Sequence, residues 1–435
     1  MREYSDQVMA YRERAAPSRV FYGWWVAAAF SLIIFLSTGA RFAVGPFLKP
    51  VVGDLGLDRG SFSLVISLSL FLYGAFMPLV GPLVDRWGSR IVCSLGAVVM
   101  AASLVLTGTM TSLWQFALYY GVFAALGLAA TGHVVASATL TRWFVRRRGT
   151  AVSVLSVASM SGIALLVPIV MWCILRFGWR ASYMILGVAS LVITLPLALF
   201  VLRDSPEDIG LHPDGRAPAP AVPGAAPVVE RTATGDALRT PSFWLMGGGL
   251  FSCGFSMSLL SAHGVPMLTD HGFHEMTASS AIGFLGMTSI GGGMLLGILS
   301  DRYGRKPVLA SVYLVRVVAF SLLFLARDPA ALAVVAAIGG LGMAGSLAMT
   351  SALSADIFGR FSVGSIFGLM FLIHQVGAAL GAWLGGFLFD LSGGYGLAFG
   401  VSCALLLVGA GLALTINLAG RPPVRRELQP VAGGK

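Results

Sequence analysis

The feature that most constrains this chain is a series of long apolar stretches that occupies almost its whole length. About 20 apolar residues are enough to cross the roughly 30 Å hydrocarbon core of a bilayer as a helix. We identify twelve such windows, and each is too long to be one of the ~10-residue alternating strands of a membrane barrel. The sequence therefore predicts an all-α membrane protein with helices at approximately 22–47, 60–84, 91–109, 113–140, 149–175, 181–202, 241–267, 276–299, 307–326, 329–355, 362–388 and 393–418.

Charge is scarce in this chain and unevenly distributed. Charged residues make up 11% of the sequence, against roughly 25% in soluble domains, so they cannot cover a soluble surface. The net charge of +10 would suit a nucleic-acid partner, but most of the 29 Lys and Arg residues fall in loops on one side of the predicted helices. This bias follows the positive-inside rule. It predicts both termini in the cytoplasm, a plasma (inner) membrane location, and the lipid bilayer rather than nucleic acid as the large partner.

A long polar segment divides the predicted helices six and six. It contains a Pro/Ala run at 217–227, a composition typical of an extended or disordered linker. We therefore expect a cytoplasmic tail, a first six-helix bundle, a cytoplasmic linker, a second six-helix bundle and a second cytoplasmic tail. Their predicted boundaries are 1–20, 21–202, 203–240, 241–418 and 419–435.

The two halves carry a matched loop after their second predicted helix. The loops "GPLVDRWGSR" at 81–90 and "GILSDRYGRK" at 297–306 share Gly, Leu, Asp, Arg and Gly at the same positions. Two matched loops in corresponding places indicate an internal duplication. Glycine permits the tight turn that such a loop needs at the membrane surface.

Charged residues around these loops form a candidate gate. Asp85 is expected to pair with Arg142, and Arg302 with Asp356, in one conformation of a moving protein. The alternative is that the loops are interfacial turns that only fix the topology. The candidate gating residues are Asp85, Arg86, Arg142, Asp301, Arg302 and Asp356.

The duplicated loop, the twelve predicted helices and the central linker together resemble the major facilitator superfamily of secondary transporters. Three passages resemble its monocarboxylate transporters and bacterial oxalate/formate exchangers: "FYGWW" at 21–25, "RWFVRRRGTAVSVLSVASMSG" at 142–162 and "SPEDIGLHP" at 205–213. The resemblance implies two pseudosymmetric six-helix bundles. It also implies a substrate site between the bundles, near the midplane, that opens alternately to each side.

Five ionisable side chains lie well inside the predicted helices, where such groups are costly and commonly functional. All five are Arg or His, whereas every Asp and Glu falls near a helix end or in a loop. A lumen that holds only Arg and His attracts an anion, which favours organic carboxylates as substrates. Tyr119 and Tyr120 add candidate hydroxyl donors. The five ionisable residues are Arg41, His133, His263, Arg316 and His374.

Each of these side chains also has a structural interpretation. Arg41 either binds an anion or extends its charge to the outer interface. His263 either lines the same pocket, since pseudosymmetry places it near the depth of Arg41, or bonds to backbone at a helix end. Arg316 either binds substrate or pairs with carbonyls or Tyr313. Simple packing is the alternative for His133, Tyr119 and Tyr120.

His374 is the first-ranked candidate for the site. It lies about 18 Å along its predicted helix, close to the midplane of a 30 Å core. It shares a face with Gly377, Gly381 and Gly385, which is a face for close helix packing, while Gln375 points about 100° away. Related anion carriers have a cationic residue on this helix, so the resemblance implies that His374 takes its place. A hydrogen bond to a neighbouring helix is the alternative.

These observations favour a secondary active transporter of a small organic anion, with a monocarboxylate as the favoured substrate. Coupling to a proton through a histidine and exchange against a second anion are both open. A drug or metabolite efflux carrier of the same fold is the first alternative, and a non-transporting membrane sensor is the second. The sequence has no phosphate-binding loop, metal-spaced His/Cys cluster or nucleophile motif. We therefore expect no enzyme activity, no cofactor and no metal, and we expect a monomer.

Overall fold

The protein is built from helices in both halves of the chain. The computed structural model describes residues 21–215, 228–343, 345–359, 363–417 and 425–428. Within these residues, ten helices are long and apolar enough to cross a membrane. Shorter helical segments and one short antiparallel strand pair are the other regular elements of the described chain.

The bounds of the elements follow the predicted windows closely. The first half contains α1 (Tyr22–Phe42), α2 (Val44–Leu55), α3 (Arg59–Thr109), α4 (Leu113–Phe116), α5 (Ala125–Ala130), α6 (His133–Trp143) and α7 (Arg148–Pro196), with π-helical segments at Ala117–Ala124 and Leu197–Val201. Short 3-10 turns at Pro206–Ile209 and Pro213–Gly215 and strand β1 (Val228–Arg231) follow. The second half contains α8 (Thr234–Leu238), α9 (Pro241–Asp270), α10 (Glu275–Tyr303), α11 (Arg305–Leu323), α12 (Pro329–Met343), α13 (Gly345–Phe358), α14 (Val363–Ser392), α15 (Gly396–Thr415) and strand β2 (Arg425–Leu428).

Two helices are much longer than a membrane is thick, because each reverses direction at a glycine. α3 has 51 residues and α7 has 49, and straight helices of that length would be about 75 Å long. The backbone leaves helical geometry at Gly88 (φ 82°, ψ 158°) and at Gly178 (φ 79°, ψ 165°), a region that essentially only glycine adopts. Four predicted windows therefore fall within two structural helices, and the described chain has ten span-length helices where the sequence predicts twelve.

Side-chain contacts show where the ends of the long helices lie. Arg180, in the turn of α7, donates to the Met110 carbonyl at 2.7 Å and to the Asp54 carboxylate at 2.9 Å, so the segments before and after α3 meet there. At the opposite end, the Tyr22 hydroxyl donates to the Val201 carbonyl at 2.9 Å. We call the end marked by Arg180 the distal end and the end marked by Tyr22 the terminal end.

The two halves pack against each other through three pairs of helices. These are α3 with α14, α7 with α10, and α2 with α9. Small residues at such contacts let helix backbones approach closely. A side chain in place of Gly386 would meet the carbonyl of Arg59, and one in place of Gly45 would meet the carbonyl of Ser261. The contact between the halves is therefore a close, backbone-to-backbone contact.

The linker is attached to the first half at the terminal end. Asp204 accepts hydrogen bonds from the backbone amide and the hydroxyl of Ser89 in the first matched loop. Asp214 accepts one from the Arg146 amide at 2.7 Å. Further along, β1 of the linker pairs with β2 of the C-terminal tail in antiparallel register. The Pro/Ala run at 217–227, for which we predict an extended or disordered chain, lies outside the described residues.

Candidate functional site

Arg41 carries its guanidinium among aromatic rings in the last turn of α1. The guanidinium carbon lies 5.1 Å from the centre of the Tyr73 ring and 5.8 Å from that of Phe42, within the range of cation–π attraction. Tyr120 lies close enough to act on it electrostatically. Among the described residues, no carboxylate or hydrogen-bond acceptor contacts this half-buried side chain. Arg41 is therefore a cation inside a membrane helix without a described counter-ion.

His133 lies beside Arg41 at the start of α6. Gly132 is extended (φ −91°, ψ −170°), so His133 begins a new helix inside a predicted window. The His133 Nε2 lies 2.9 Å from Ser159 Oγ on α7, and Ser159 Oγ lies 3.4 Å from Thr38 Oγ1, one turn before Arg41. His133 is exposed by its surface area, although protein atoms surround its imidazole closely. We call the group of Thr38, Arg41, Tyr73, Tyr120, His133 and Ser159 the Arg41 cluster.

The two predicted tyrosines are consecutive residues of the π-helical segment Ala117–Ala124, so their side chains point in different directions. Tyr120 is buried, next to Arg41, with its ring edge-on to Tyr183. Tyr119 is half-buried, and its carbonyl accepts a hydrogen bond from the Ser103 hydroxyl at 2.7 Å. A π-helical segment inside a helix often marks a functional position. Here it places Tyr120, rather than Tyr119, in the Arg41 cluster.

Arg316 is a buried cation whose donors are used within the second half. Its Nε donates to the Gly342 carbonyl at 2.9 Å and its Nη2 donates to the Met343 carbonyl at 2.8 Å. Hydroxyl and thiol groups surround the remaining donors, and the residue is 1% exposed. The arrangement matches the structural interpretation of Arg316 by carbonyl pairing. We call the group of Arg316, Cys253, Ser256 and Ser346 the Arg316 cluster.

His374 is 3% exposed and lies on the face of α14 that packs against α9. Its Nδ1 lies 3.0 Å from Gln375 Oε1, and its ring stacks on Phe371 with centres 5.2 Å apart. Its Nε2 has no oxygen or nitrogen partner among the described residues, and the Cys253 thiol on α9 lies close enough to interact with the imidazole. A side chain in place of Gly254 on α9 would meet the His374 carbonyl. The predicted close-packing face is thus present, and it holds one imidazole nitrogen without an oxygen or nitrogen partner there.

The side chain of Gln375, in the second half, contacts the first half. Its Nε2 donates to the Leu70 carbonyl on α3 at 3.4 Å, and a side chain at Gly74 would meet its Cβ. Tyr73, which lies between these two positions on α3, belongs to the Arg41 cluster. One helix turn of α3 therefore connects the His374–Gln375 pair with the Arg41 cluster, and the two halves meet at this level.

A charged network at the distal end joins the two halves. Arg59 of the first half donates to Asp270 of the second half with both Nη atoms, at 2.6 and 3.2 Å, and to the Tyr395 hydroxyl at 2.8 Å. Lys49 approaches the same Asp270 at 2.6 Å. Asp390 accepts the Gly60 amide at 2.6 Å, at the start of α3. We call the group of Lys49, Arg59, Asp270, Asp390 and Tyr395 the distal latch.

His263 belongs to this latch rather than to the Arg41 cluster. Its Nε2 lies 2.8 Å from the Ala382 carbonyl and 3.3 Å from Ser63 Oγ, and its Nδ1 lies 3.2 Å from the Tyr395 hydroxyl. A carbonyl requires the Nε2–H tautomer, so Nδ1 accepts from Tyr395. Burial raises the pKa of the Tyr395 phenol, which keeps that proton in place. His263 is therefore a satisfied neutral histidine at the contact between the halves.

The distal latch is not predicted from the sequence, in which Lys49, Arg59 and Asp270 are charges at or near the ends of predicted helices. The signal in the sequence is incomplete. Lys49 and Arg59 lie at predicted outer ends of the first half, but beside Asp54 and Asp58, and the outer ends of the second half hold mostly acidic residues together with Arg327. Opposite charges at corresponding depths predict a contact between the halves when that side is closed.

At the terminal end, one of the two expected gate pairs is formed in this structure and the other is not. Arg142 Nη2 lies 2.7 Å from Asp85 Oδ1, as predicted, although both belong to the first half. Asp356 pairs with Arg305 instead of Arg302. Arg305 begins α11 and also donates to the Ala352 carbonyl, one turn before Asp356, whereas Arg302 lies over the Tyr303 ring at 5.5 Å. The other predicted gate residues, Arg86 and Asp301, are exposed.

Comparisons with known proteins cover nearly the whole chain. A family model described as Major Facilitator Superfamily matches residues 30–297 and 264–433. The MFS-type transporter YcxA of Bacillus subtilis, itself uncharacterized, is 27% identical over 86% of this chain and 88% of its own. The oxalate:formate antiporter of Oxalobacter formigenes is 24% identical, covering 92% and 93%, and monocarboxylate transporter 11 of Homo sapiens is 27% identical, covering 96% and 90%.

A solved structure shares the same fold. It is a bacterial homologue of the human lysosomal transporter Spinster, in an inward-facing and unoccupied conformation. Its TM-score to this protein is 0.68 at 18% identity, and the match covers 92% of this chain and 95% of that one. At this identity the likeness concerns the fold alone.

Proposed function

Because the chain belongs to the Major Facilitator Superfamily, we propose that it is a secondary active transporter that moves a small organic anion by alternating access, with a monocarboxylate as the favoured substrate. Its relatives are transporters, and the protein is a multi-pass membrane transporter rather than an enzyme. The names of two relatives, an oxalate:formate antiporter and a monocarboxylate transporter, support the substrate class.

The proposal includes twelve membrane crossings in two six-helix bundles. The reversals at Gly88 and Gly178 support it, because they divide α3 and α7 into two lengths of about 20 to 30 residues each. Both termini would then lie on the cytoplasmic side of the plasma (inner) membrane. The Lys and Arg residues that crowd the terminal-end loops support this orientation.

The observation that carries the anion proposal is the unpaired guanidinium of Arg41. An ionised group inside a membrane protein is costly unless it is paired or coordinated. Arg316 meets this requirement with carbonyls of its own half, but Arg41 has only aromatic rings and neighbouring hydroxyls around it. A carboxylate would supply the missing acceptors, and guanidinium binds carboxylate with two parallel hydrogen bonds. We therefore assign Arg41 as the anchor of the substrate carboxylate.

The second half would complete the site with His374 and Gln375. Gln375 reaches the Leu70 carbonyl beside Tyr73, so a small movement of α14 places it next to the Arg41 cluster. The Nε2 of His374, which has no oxygen or nitrogen partner among the described residues, offers a further polar contact. A site shared by both halves suits alternating access, because the bound substrate then favours their joint closure.

Alternating access would operate through the distal latch. In this structure the latch joins the halves at the distal end, whereas the ion pairs described at the terminal end lie within one half each. The structure thus corresponds to a state closed at its distal end. Access from that end requires the Arg59–Asp270 pair to separate, and the terminal ends of the halves would then approach each other.

The test is carboxylate binding and flux by the purified full-length protein. Thermal unfolding is measured with formate, acetate, L-lactate, pyruvate and oxalate, since a ligand at 100 times its Kd stabilises the folded state by about 2.7 kcal/mol. The carboxylate that stabilises most is then used, radiolabelled, for uptake into proteoliposomes. Arg41→Gln is expected to lose both signals, and Arg176→Gln, an exposed arginine outside the cluster, is the matched control.

Three results would overturn the proposal in different ways. Stabilisation by hydrophobic cations alone would favour an efflux carrier of the same fold. Carboxylate binding without flux would favour a sensor. Carboxylate binding that Arg41→Gln leaves intact would keep the substrate class but move the site elsewhere.

A further inference from the structure

We propose that Cys253 of the Arg316 cluster is an ionised thiol paired with Arg316, and that it is the site at which small uncharged electrophiles modify this protein. The inference concerns a side chain that has no part in the proposed transport cycle, and it does not depend on the substrate. It follows from the contacts of one buried sulfur atom with a guanidinium, a hydroxyl and an imidazole.

Arg316 has no carboxylate among its contacts in the described chain. Its donors reach two carbonyls, two serine hydroxyls and the Cys253 sulfur, and the residue is 1% exposed. Carbonyls and hydroxyls solvate the positive charge but do not neutralise it, and a buried charge is costly without an opposite one beside it. Of the groups that donate to or accept from Arg316, the Cys253 thiol is the one that can become an anion. Its ionisation converts an unpaired buried cation into an ion pair.

The hydrogen bonds around the Cys253 sulfur suit a negative charge. Arg316 Nη1 donates to Cys253 Sγ at 3.2 Å. Ser346 Oγ accepts from Arg316 Nη2 at 3.3 Å, so its own O–H is available to donate to Sγ, which lies 3.0 Å away. Two donors, one of them charged, therefore point at a sulfur that is fully buried. Cationic neighbours and donors of this kind favour the thiolate over the thiol.

The proton that Cys253 gives up has an acceptor on α14. Gly254, the next residue, packs so closely on α14 that an added side chain would meet the His374 carbonyl, and the His374 imidazole lies close enough to the thiol to interact with it. Gln375 donates to the Leu70 carbonyl through Nε2, so its Oε1 accepts from His374 Nδ1 at 3.0 Å. His374 Nε2, which is buried and has no oxygen or nitrogen partner in the described chain, then takes up the proton. The S–H bond breaks, an N–H bond forms, and the sulfur is left as an anion between two cations.

The surroundings of the cluster select the class of reagent. An apolar cavity between helices of the second half borders the Arg316 side chain, with Leu260, Phe320 and Met343 in its wall. Among the described residues that line this cavity, Arg316 alone is charged. A small uncharged molecule can enter such a space without losing a hydration shell, whereas a cation would also meet the charge of Arg316. The reagent class is therefore a small, uncharged, thiol-directed electrophile.

The modification is a substitution at sulfur, and methyl methanethiosulfonate is the probe. The thiolate is the nucleophile in such reactions, and here it attacks the sulfenyl sulfur of the probe. A new S–S bond forms, the S–S bond of the probe breaks, and methanesulfinate leaves with the negative charge. No further oxidant is required, because the probe accepts the electron pair. The product is a neutral mixed disulfide, so Arg316 loses its anionic partner.

The experiment compares labelling of the four cysteines in the purified full-length protein by mass spectrometry at pH 7. Cys93 is the matched control, because it is equally buried but its thiol donates to the Ala130 carbonyl at 3.5 Å. An ordinary thiol is only a few per cent ionised at pH 7, so full ionisation is expected to make Cys253 react about 30-fold faster than Cys93. Labelling of Cys253 is also expected to lower the apparent Tm, since it leaves Arg316 unpaired.

A spectroscopic measurement separates an ionised cysteine from one that is merely accessible. A thiolate absorbs in the far ultraviolet and a thiol does not, so Cys253→Ser should lose one thiolate equivalent of absorbance at pH 7, and Cys93→Ser none. Arg316→Met should remove the same absorbance and slow the labelling of Cys253 to the rate of Cys93. Should that variant not fold, Ser346→Ala removes one of the two donors to the sulfur and should slow labelling severalfold, with Cys173 and Cys403 unchanged.

Each result supports or overturns a stated part of the inference. If Cys253→Ser leaves the absorbance unchanged, Cys253 is a thiol and the ion pair with Arg316 is wrong. If the absorbance is lost but the probe labels Cys253 no faster than Cys93, the ion pair stands and the modification site is overturned. Rapid labelling that neither Arg316→Met nor Ser346→Ala slows would show that these residues do not activate the sulfur. Carboxylate binding enters none of these measurements, so the proposed function stands or fails separately.

Discussion

The Arg59 guanidinium lies 2.6 Å from the Asp270 carboxylate across the boundary between the two halves of the protein. It is also stacked on the Phe389 ring at 3.7 Å and donates to Tyr395 at 2.8 Å. The three partners belong to the second half, so a single side chain of the first half is held on several sides by the second. Any opening of the distal end must break these contacts together.

Loss of Arg59 is expected to open the distal end. Charge-assisted hydrogen bonds contribute about 1.5–3 kcal/mol each, and losing even one shifts an equilibrium between two states about tenfold or more. Arg59→Gln should therefore speed hydrogen exchange at the Gly60 amide, whose N–H donates to the Asp390 carboxylate in the closed latch. Arg180→Gln removes an ion pair with Asp54 inside one half and should leave exchange at this position unchanged. Equal exchange in all three proteins would mean that the latch does not hold the halves.

Replacement of Arg316 is expected to reduce stability rather than to act first on substrate affinity. Arg316→Met leaves the Gly342 and Met343 carbonyls without their buried donor, and each unsatisfied group costs about 1–3 kcal/mol. The apparent Tm should fall by several degrees, while Arg302→Met, at an exposed position, should change it little. A variant with a normal Tm and no carboxylate binding would instead place Arg316 in the substrate site.

The contact of α9 with α14 depends on Gly254. An added methyl group there meets the His374 carbonyl, and overpacking of this kind costs about 1–3 kcal/mol. Gly254→Ala should therefore lower the apparent Tm. Gly368→Ala on α14 meets nothing within 4 Å, so the better helix propensity of alanine should leave Tm unchanged or raise it. An equal loss of Tm in both variants would show that the loss does not come from the clash with His374.

Two substitutions of His374 separate binding from packing. His374→Phe preserves a ring that can stack on Phe371 but has no nitrogen, whereas His374→Gln preserves a polar end. If the imidazole contacts substrate, Kd for the carboxylate probe should rise about tenfold in His374→Phe and less in His374→Gln, as expected for one hydrogen bond of ~1–1.5 kcal/mol. The reverse order would identify a packing residue. Binding is measured by thermal shift, with Tm in the absence of ligand as the control for folding.

Much of the fold follows from the sequence because it depends on properties that single residues carry. Apolar stretches of sufficient length become helices, and the matched loops at 81–90 and 297–306 mark the duplication. The sequence predicts a break at both glycine turns, from the charges beside Gly88 and from Arg176 and Arg180 beside Gly178. The count of helices differs because each turn is a single glycine, so the structure has one continuous helix where the sequence predicts two.

The site is predicted less completely, because it depends on which side chains meet. The sequence identifies five intramembrane Arg and His residues and ranks His374 first, but it does not show which of them have hydrogen-bond partners. Only the structure separates Arg41, which has no described acceptor, from Arg316, whose donors are used, and from His263, which is tied to Ala382. Ser159 and Tyr73 were missed because a hydroxyl or an aromatic ring in an apolar helix gives no signal until its neighbours are known.

The reversals at Gly88 and Gly178 have a mechanical consequence. A turn of one residue allows little independent motion of the two helices that it joins. Both glycines have the same unusual backbone geometry, as does Gly304 in the second matched loop (φ 88°, ψ 154°). Two helices joined by such a turn are expected to move together as a rigid body. A displacement at their distal end, where Arg59 and Arg180 lie, is then transmitted to their terminal end. In the described chain, these one-glycine turns would thus couple the position of one end of the protein to that of the other.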